Sequence, residues 1–330
     1  LPPDYDTLTA EGQRLARLNA CRQWLLPSID LKTRAIDFIS SMRFFEAYYL
    51  WPDPDVDFNP LFFDDNPVAT PKGHISIYKE WATSRSSIAV APRGYAKSNC
   101  IRKSILLQML TRPAFSFIYA TSSHDNAQQT SQIIKSQFSD NSRIFDDFSP
   151  DFPDGRIVPR RGEASYGLEM MYLKNGSWLR AISASSKQRG GRPRRYRLDD
   201  PEYDPKSSTP MSVLRAYMDE LLFKIVIPMV TRPDTGVDWV GTFVSKRHYL
   251  WHAMQLEETP EGMRAKDPRF NRWSRLVIPA AIEENGEMIS CWPDMWPATR
   301  SERAKLAETR PRDRKSTRLN SSHANISYAV

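Results

Sequence analysis

Residues Ala91 to Ser98 read A-P-R-G-Y-A-K-S and lie between an apolar run (Ser86 to Val90) and a stretch of helical periodicity (Cys100 to Leu110). A strand that turns through a basic loop into a helix is the context in which a P-loop holds a nucleotide. Backbone N–H groups of such a loop surround the β-phosphate, and the helix N-terminus adds its dipole. In this octet Lys97 would neutralise β/γ charge and Ser98 would place a hydroxyl on Mg²⁺. Ala91, Pro92, Arg93, Gly94, Tyr95, Ala96, Lys97 and Ser98 are therefore the candidate nucleotide-binding loop. The octet departs from G-x-x-x-x-G-K-[ST], because Ala91 and Ala96 replace the two glycines and only Gly94 is free to take positive φ. Taken alone, it also fits a basic turn in an unrelated α/β protein.

The periodicity around the octet predicts the architecture. Helices are expected over Glu11–Leu26, Thr33–Leu50, His74–Ser84, Asp125–Phe138, Val213–Phe223 and Lys246–Glu257, with a short one ending near Phe148. Strands are expected over Ala114–Ala120, Arg194–Leu198, Val237–Gly241 and Leu276–Ala280. Leu168–Leu173 and Trp178–Ser183 flank an Asn175-Gly176 hairpin turn. Pro150 to Gly167 reads as a loop, and Trp51 to Lys72 as an ordered Pro- and Asp-rich loop. Strands alternating with helices imply a mostly parallel sheet with helices on both faces.

A chain of 330 residues suffices for one large or two modest domains. No apolar run approaches a bilayer span, and the first residues lack a basic start followed by an apolar block, so a soluble protein without a signal peptide is expected. The chain begins at Leu1, which leaves any upstream targeting signal open. Cys21, Cys100 and Cys291 lie far apart without C-x-x-C spacing, which argues against a disulfide framework or zinc site and fits a reducing cytoplasm. A net charge of +7 permits a polyanionic partner. Part of that charge sits in Asp313 to Val330, which reads codon for codon as one frame of a common short-read sequencing adapter. The gene's own sequence is then expected to stop near Arg312 within a longer frame, with the charge at +5; the alternative is a basic disordered tail that binds nucleic acid.

Two further constellations bear on chemistry. Arg197-Leu198-Asp199-Asp200-Pro201-Glu202 reads as a strand ending in acids, where a carboxylate near Mg²⁺ and another that orients water are needed. Its arginines conflict with the apolar pattern of a buried strand, and an acidic surface turn is the alternative. Trp239-Val240-Gly241-Thr242 is a strand ending in a small hydroxyl residue, a place from which γ-phosphate loss can be sensed. Lys187 to Pro193 is a basic loop that reaches a phosphate or is merely solvated. His248 and His252 lack the intervening Glu of a zinc helix and read as surface or packing residues. The acids Asp53, Asp55, Asp57, Asp64 and Asp65 read as solvated loop residues rather than a two-metal site.

Together these residues resemble the large subunit of tailed-phage terminases. Its P-loop often reads A-P-R-G-[HFY]-A-K-S, which makes the two alanines a point of agreement. His74, Ile77 and Trp81 resemble the family's adenine-contacting segment before the P-loop, Ser122–Phe138 its helix with Gln and Ala near the start, Asn141–Phe148 its Asn-then-Phe segment, and Arg189-Gly190 with Arg192-Pro193 the approach to its Walker B acids. Gly241-Thr242 is similar to its coupling motif and Trp292 to Pro297 to the W-P-E segment before its nuclease domain, so the resemblance spans about residues 60 to 310.

The resemblance implies an α/β P-loop NTPase with a mostly parallel central sheet flanked by helices, preceded by an N-terminal helical segment. It implies ATP and Mg²⁺ as cofactors. Ser98 and Asp199 would be on the metal side, with Arg93 stabilising the γ-phosphoryl group, Asp200 orienting water with Glu202 in reserve, and Thr242 coupling. The expected divisions are 1–72, helical segment and loop; 73–285, ATPase domain; 286–312, linker toward a nuclease domain; and 313–330, adapter. Expected partners are double-stranded DNA, a portal protein, a small terminase subunit and further copies in a ring, without a membrane, in the host cytoplasm and transiently on the procapsid portal. A helicase-like P-loop ATPase and an inactive nucleic-acid-binding module are the competing readings.

Overall fold

Strand β1 (Ser86–Val90) starts the parallel unit, followed by β2 (Ser116–Thr121), β3 (Met170–Tyr172), β4 (Trp178–Ser183), β5 (Arg195–Asp199) and β6 (Gly236–Gly241). After the hairpin of β7 (Leu256–Thr259) and β8 (Gly262–Ala265) comes β9 (Ser274–Val277). Seven strands form one sheet in the order β3-β4-β2-β5-β6-β1-β9, parallel except for the edge pair β3–β4. The computed structural model describes residues 1–25, 30–50, 70–186, 191–202, 210–244, 246–260, 262–284 and 287–290. Among them no helix is long and apolar enough to cross a membrane.

Period-two alternation divides the core. Ile88, Val90, Ile118, Ala120, Tyr196, Leu198, Val237 and Trp239 face one layer, while Ala89, Phe117, Tyr119, Leu179 and Val240 face the other. The second face carries α1 (Ala10–Arg22), α2 (Leu31–Tyr49), α3 (Lys72–Thr83), α4 (Lys97–Thr111), α5 (His124–Asp140) and α6 (Ser142–Phe148). The first carries α7 (Met211–Asp219), its π-helical continuation Glu220–Val226, α8 (Ile227–Met229) and α9 (Tyr249–Met254). The N-terminal helices share the core of the body: Asp147 of α6 accepts from Arg17 of α1 (2.6 Å) and from Tyr49 of α2 (2.7 Å), and Glu46 of α2 accepts from Tyr78 of α3 (2.5 Å).

The arginines that conflicted with a buried β5 occupy its polar face. Arg197, paired in register with Asp238 of β6, places its guanidinium 2.7 Å from that carboxylate and 3.9 Å from the Trp81 ring centroid. Ser87 Oγ donates to the other Asp238 oxygen at 2.8 Å. Burial lowers Arg197 to about 10, against the pull of Asp238, so it stays charged at neutral pH. Arg195 donates to the Trp81 and Arg85 carbonyls at and just beyond the end of α3, at 3.2 Å each.

Other expectations shift. The helix expected over Lys246–Glu257 is limited to α9, because Gln255 is extended and the chain enters the β7–β8 hairpin, whose turn begins at Pro260 and whose second strand opens on a positive-φ Gly262. The last strand of the sheet is Ser274–Val277 rather than Leu276–Ala280, and a further hairpin joins Ala281–Glu284 to Glu287–Ser290. Removing one member of the Arg197–Asp238 pair leaves a buried charge alone. Asp238→Ala is therefore expected to lower unfolding free energy by about 3–5 kcal/mol in urea titrations, and Arg197→Met combined with Asp238→Leu to recover most of that loss.

Candidate functional site

The loop after β1 is held from three sides. Ala91 N–H donates to the Gly241 carbonyl at the tip of β6 (3.1 Å), and Tyr95 N–H to the Pro92 carbonyl (3.3 Å). The Tyr95 ring is buried over Gly73, where any Cβ would collide with it. Burial lowers His74 to about 4, so the neutral ring donates from Nε2 to the Tyr95 carbonyl at 2.8 Å. Gly94 takes φ of 76°, but Ala96, just before α4, also has φ of 55° and ψ of 31°. The expectation that Gly94 alone supplies positive φ is thus corrected: a residue with a Cβ is strained into the left-handed region at the helix entrance. Arg93 is exposed at the outer turn, and Ser98 lies half-buried in the first turn of α4.

Lys97 is buried and donates to the Ala91 carbonyl (3.3 Å), the Pro92 carbonyl (3.2 Å) and Thr242 Oγ1 (2.6 Å). All three acceptors are neutral, so among the described residues the ammonium bonds no anion. Thr242 turns its backbone N–H to Asp200 Oδ1 at 2.8 Å. One residue at the tip of β6 thereby touches both the loop lysine and the acid strand. Asp200 follows β5 with φ of 41°, and its N–H donates to the Val240 carbonyl at 3.0 Å. Desolvation within the cleft raises its carboxyl above the ordinary aspartate range, with Lys97 opposing and Asp199 adding to the rise.

Asp199 is buried on the opposite face of β5. Its Oδ2 accepts from the Tyr119 hydroxyl at 2.7 Å, and its Oδ1 has no hydrogen-bond partner among the described residues. Glu202 accepts from the N–H groups of Tyr249 (2.6 Å) and Leu250 (2.7 Å), capping α9 from another segment. Burial raises Glu202 to about 7 against those two bonds. With both oxygens engaged, Glu202 is less free than Asp200 to take up water.

Arg93, Asn126, Asp200, Glu202, Thr242 and His248 line a cleft of about 350 Å³ at the strand tips. Lys97, Ser98 and Asp199 do not line it. His74, Ile77 and Trp81, matched above to an adenine-contacting segment, are instead buried in packing. His248 is a buried cleft residue rather than a helix-surface one, and His252 sets its ring edge against Tyr249. Among the described residues no group of three or more His, Cys, Asp or Glu could hold a metal ion by itself. Tyr119 and Asn126 escape the sequence pattern, whose signal for them is limited to a phenol within a mostly apolar strand and an amide in the first turn of α5. Arg189 and Gly190, Asp53, Asp55, Asp57, Asp64 and Asp65, Trp292 to Pro297, and the 313–330 tail lie outside the described residues.

A strand, a phosphate-type loop and a helix, with the Gly-Thr strand seated between the loop strand and the acid strand, define an α/β fold of the P-loop class. No protein-family model and no curated protein matches the chain. Among solved structures it is similar to the large terminase of HK97 bacteriophage, at 15% identity and a TM-score of 0.48, over 80% of this chain and 50% of that one. It is also similar to the large terminase ATPase domain of Thermus phage P74-26, at 15% identity and a TM-score of 0.39, over 72% of this chain and 87% of that one. The chain thus spans half the length of the HK97 protein.

Ala96→Gly relieves the left-handed strain and is expected to raise unfolding free energy by about 1 kcal/mol, read from the denaturation midpoint. Folded Glu202 holds its proton up to about 7, against an ordinary 4.5. Its contribution to stability is therefore complete below pH 4.5 and lost as pH rises through 7. Urea midpoints are expected to show this fall in the parent chain and to lack it in Glu202→Gln.

Proposed function

We propose that the chain is the ATPase part of a phage terminase large subunit, a motor that hydrolyses ATP to drive double-stranded DNA through a portal into a procapsid. The observation that carries this reading is the convergence of Lys97 and Asp200 on Thr242, which ties the phosphate loop, the acid strand and the Gly-Thr strand into one unit. The A-P-R-G-Y-A-K-S octet narrows that unit from P-loop ATPases in general to the terminase resemblance.

The residues present fit the expected cofactors. Among the described residues Lys97 is a buried cation bonded to neutral oxygens, and Asp199 Oδ1 is a buried carboxylate oxygen without a donor. The loop N–H groups with Lys97 would hold the polyphosphate, and Ser98 with Asp199 would hold Mg²⁺, which neutralises charge developing on the phosphoryl oxygens. Arg93, exposed at the mouth of the cleft, would reach the transferring group. Asp200, open to the cleft and held by the Thr242 N–H, would orient the attacking water. Glu202 would hold α9 in place rather than serve as a second base, and Thr242 would transmit the change on hydrolysis to the segment that follows it.

The divisions 1–72, 73–285, 286–312 and 313–330 stand as part of this proposal, as do the nuclease domain beyond, the portal protein, the small subunit and the ring of copies. Arg and Lys side chains would grip DNA through its phosphates, so affinity should fall steeply with salt and vary little with sequence. The test is DNA-stimulated ATP hydrolysis. Lys97→Ala and Asp200→Asn are each expected to reduce turnover by roughly 10²-fold or more, and Arg93→Ala by about 10³-fold or more. Hydrolysis untouched by both Lys97→Ala and Asp200→Asn would remove this site assignment. Salt-sensitive DNA binding with no hydrolysis in the parent chain would favour an inactive binding module.

A further inference from the structure

The hydrogen bonds behind Asp199 run in a single direction. Arg102 of α4, which can only donate, gives Nε–H and Nη2–H to Thr130 Oγ1 of α5 at 3.2 and 3.0 Å, and Nη1–H to Asn99 Oδ1 at 3.0 Å. Thr130 must then donate its own proton onward, and it does so to the Tyr119 hydroxyl oxygen at 3.3 Å. Tyr119 in turn donates to Asp199 Oδ2 at 2.7 Å. Thr130, Tyr119 and Asp199 are all buried, so the chain excludes water from one side of the carboxylate and engages one of its two oxygens. A charged donor at the far end polarises each hydroxyl toward the carboxylate.

We propose that Tyr119 is the positioning residue for the cation site, fixing Asp199 through Oδ2 so that Oδ1 is the oxygen presented to a divalent cation bound with nucleotide. This rests on the assignment of Asp199 to the metal side. Outer-shell donors of this kind typically change metal affinity by 10–100-fold when removed. Tyr119 lies on β2, away from the phosphate loop, so its loss should leave cation-independent nucleotide binding intact.

The experiment measures ADP affinity of the full chain by calorimetry, once with a chelator and once with Mg²⁺. Tyr119→Phe is expected to keep the chelator value within about two-fold and to lose roughly 10-fold of the gain that Mg²⁺ gives, while Asp199→Asn abolishes that gain. A full Mg²⁺ gain in Tyr119→Phe alongside its loss in Asp199→Asn overturns the positioning role and leaves the assignment of Asp199 standing. A gain preserved in both variants overturns both. Absence of ADP binding in the parent chain overturns the proposed function itself. Should Tyr119→Phe fail to fold, Thr130→Val decides the matter. It spares the Tyr119–Asp199 bond but cuts the relay, and it should lower the Mg²⁺ gain by about three-fold, an unchanged gain overturning the proposal.

Discussion

The placement of the site depends on one buried ion pair between neighbouring parallel strands. Arg197 and Asp238 face each other in register, and the same register sets Asp199 beside Val240. Sliding β5 by one residue would turn Asp199 to the opposite face and carry Asp200 away from the Thr242 N–H. An apolar β5 would bury as well, but its pairing would be less specified, since Tyr196 and Leu198 alone tolerate neighbours of many shapes. Trp81 completes the enclosure by covering the guanidinium, so α3 is joined to the sheet through the charge rather than only through hydrocarbon.

From that register the tip of β6 becomes the meeting point of the sheet. Ala91 bonds back to Gly241, Thr242 accepts from Lys97 and donates to Asp200, and the Asp200 N–H returns to Val240. Two of the residues involved in entering or leaving this meeting point, Ala96 and Asp200, have positive φ despite carrying side chains. Strain of this size persists only where the surroundings over-determine the backbone. The Tyr95 ring over Gly73 and the bond from His74 supply that restraint at the loop.

Much of this was legible from pattern alone. Ser86–Val90 is the observed strand to the residue, and Asn175-Gly176 turns the β3–β4 hairpin with Gly176 at φ of 82°. Local chemistry dictates both, through β-branching in one case and a left-handed turn residue in the other. What escaped the sequence depends on partners far along the chain. The arginines of β5 look wrong until Asp238 and Trp81 are beside them, and a tyrosine in an apolar strand shows no sign of the carboxylate it holds. The helix read through Glu257 failed because Gln255 breaks it and the following segment pairs with Gly262–Ala265. Residue type and order point to Lys97, Asp200 and Thr242, but the threonine's double contact is a property of the folded sheet.

The six-residue helix α9 is too short to hold itself, and its first N–H groups are satisfied by a glutamate just beyond the end of β5. Truncating Glu202 therefore removes a carboxylate from the cleft and unpins the helix that forms one of its walls. Under the proposed ATPase reading, a loss of hydrolysis on truncating that glutamate would carry no information about proton transfer, because the wall and the acid disappear together. Kinetics alone would nominate Glu202 as a catalyst, whereas its hydrogen bonds describe a bracket.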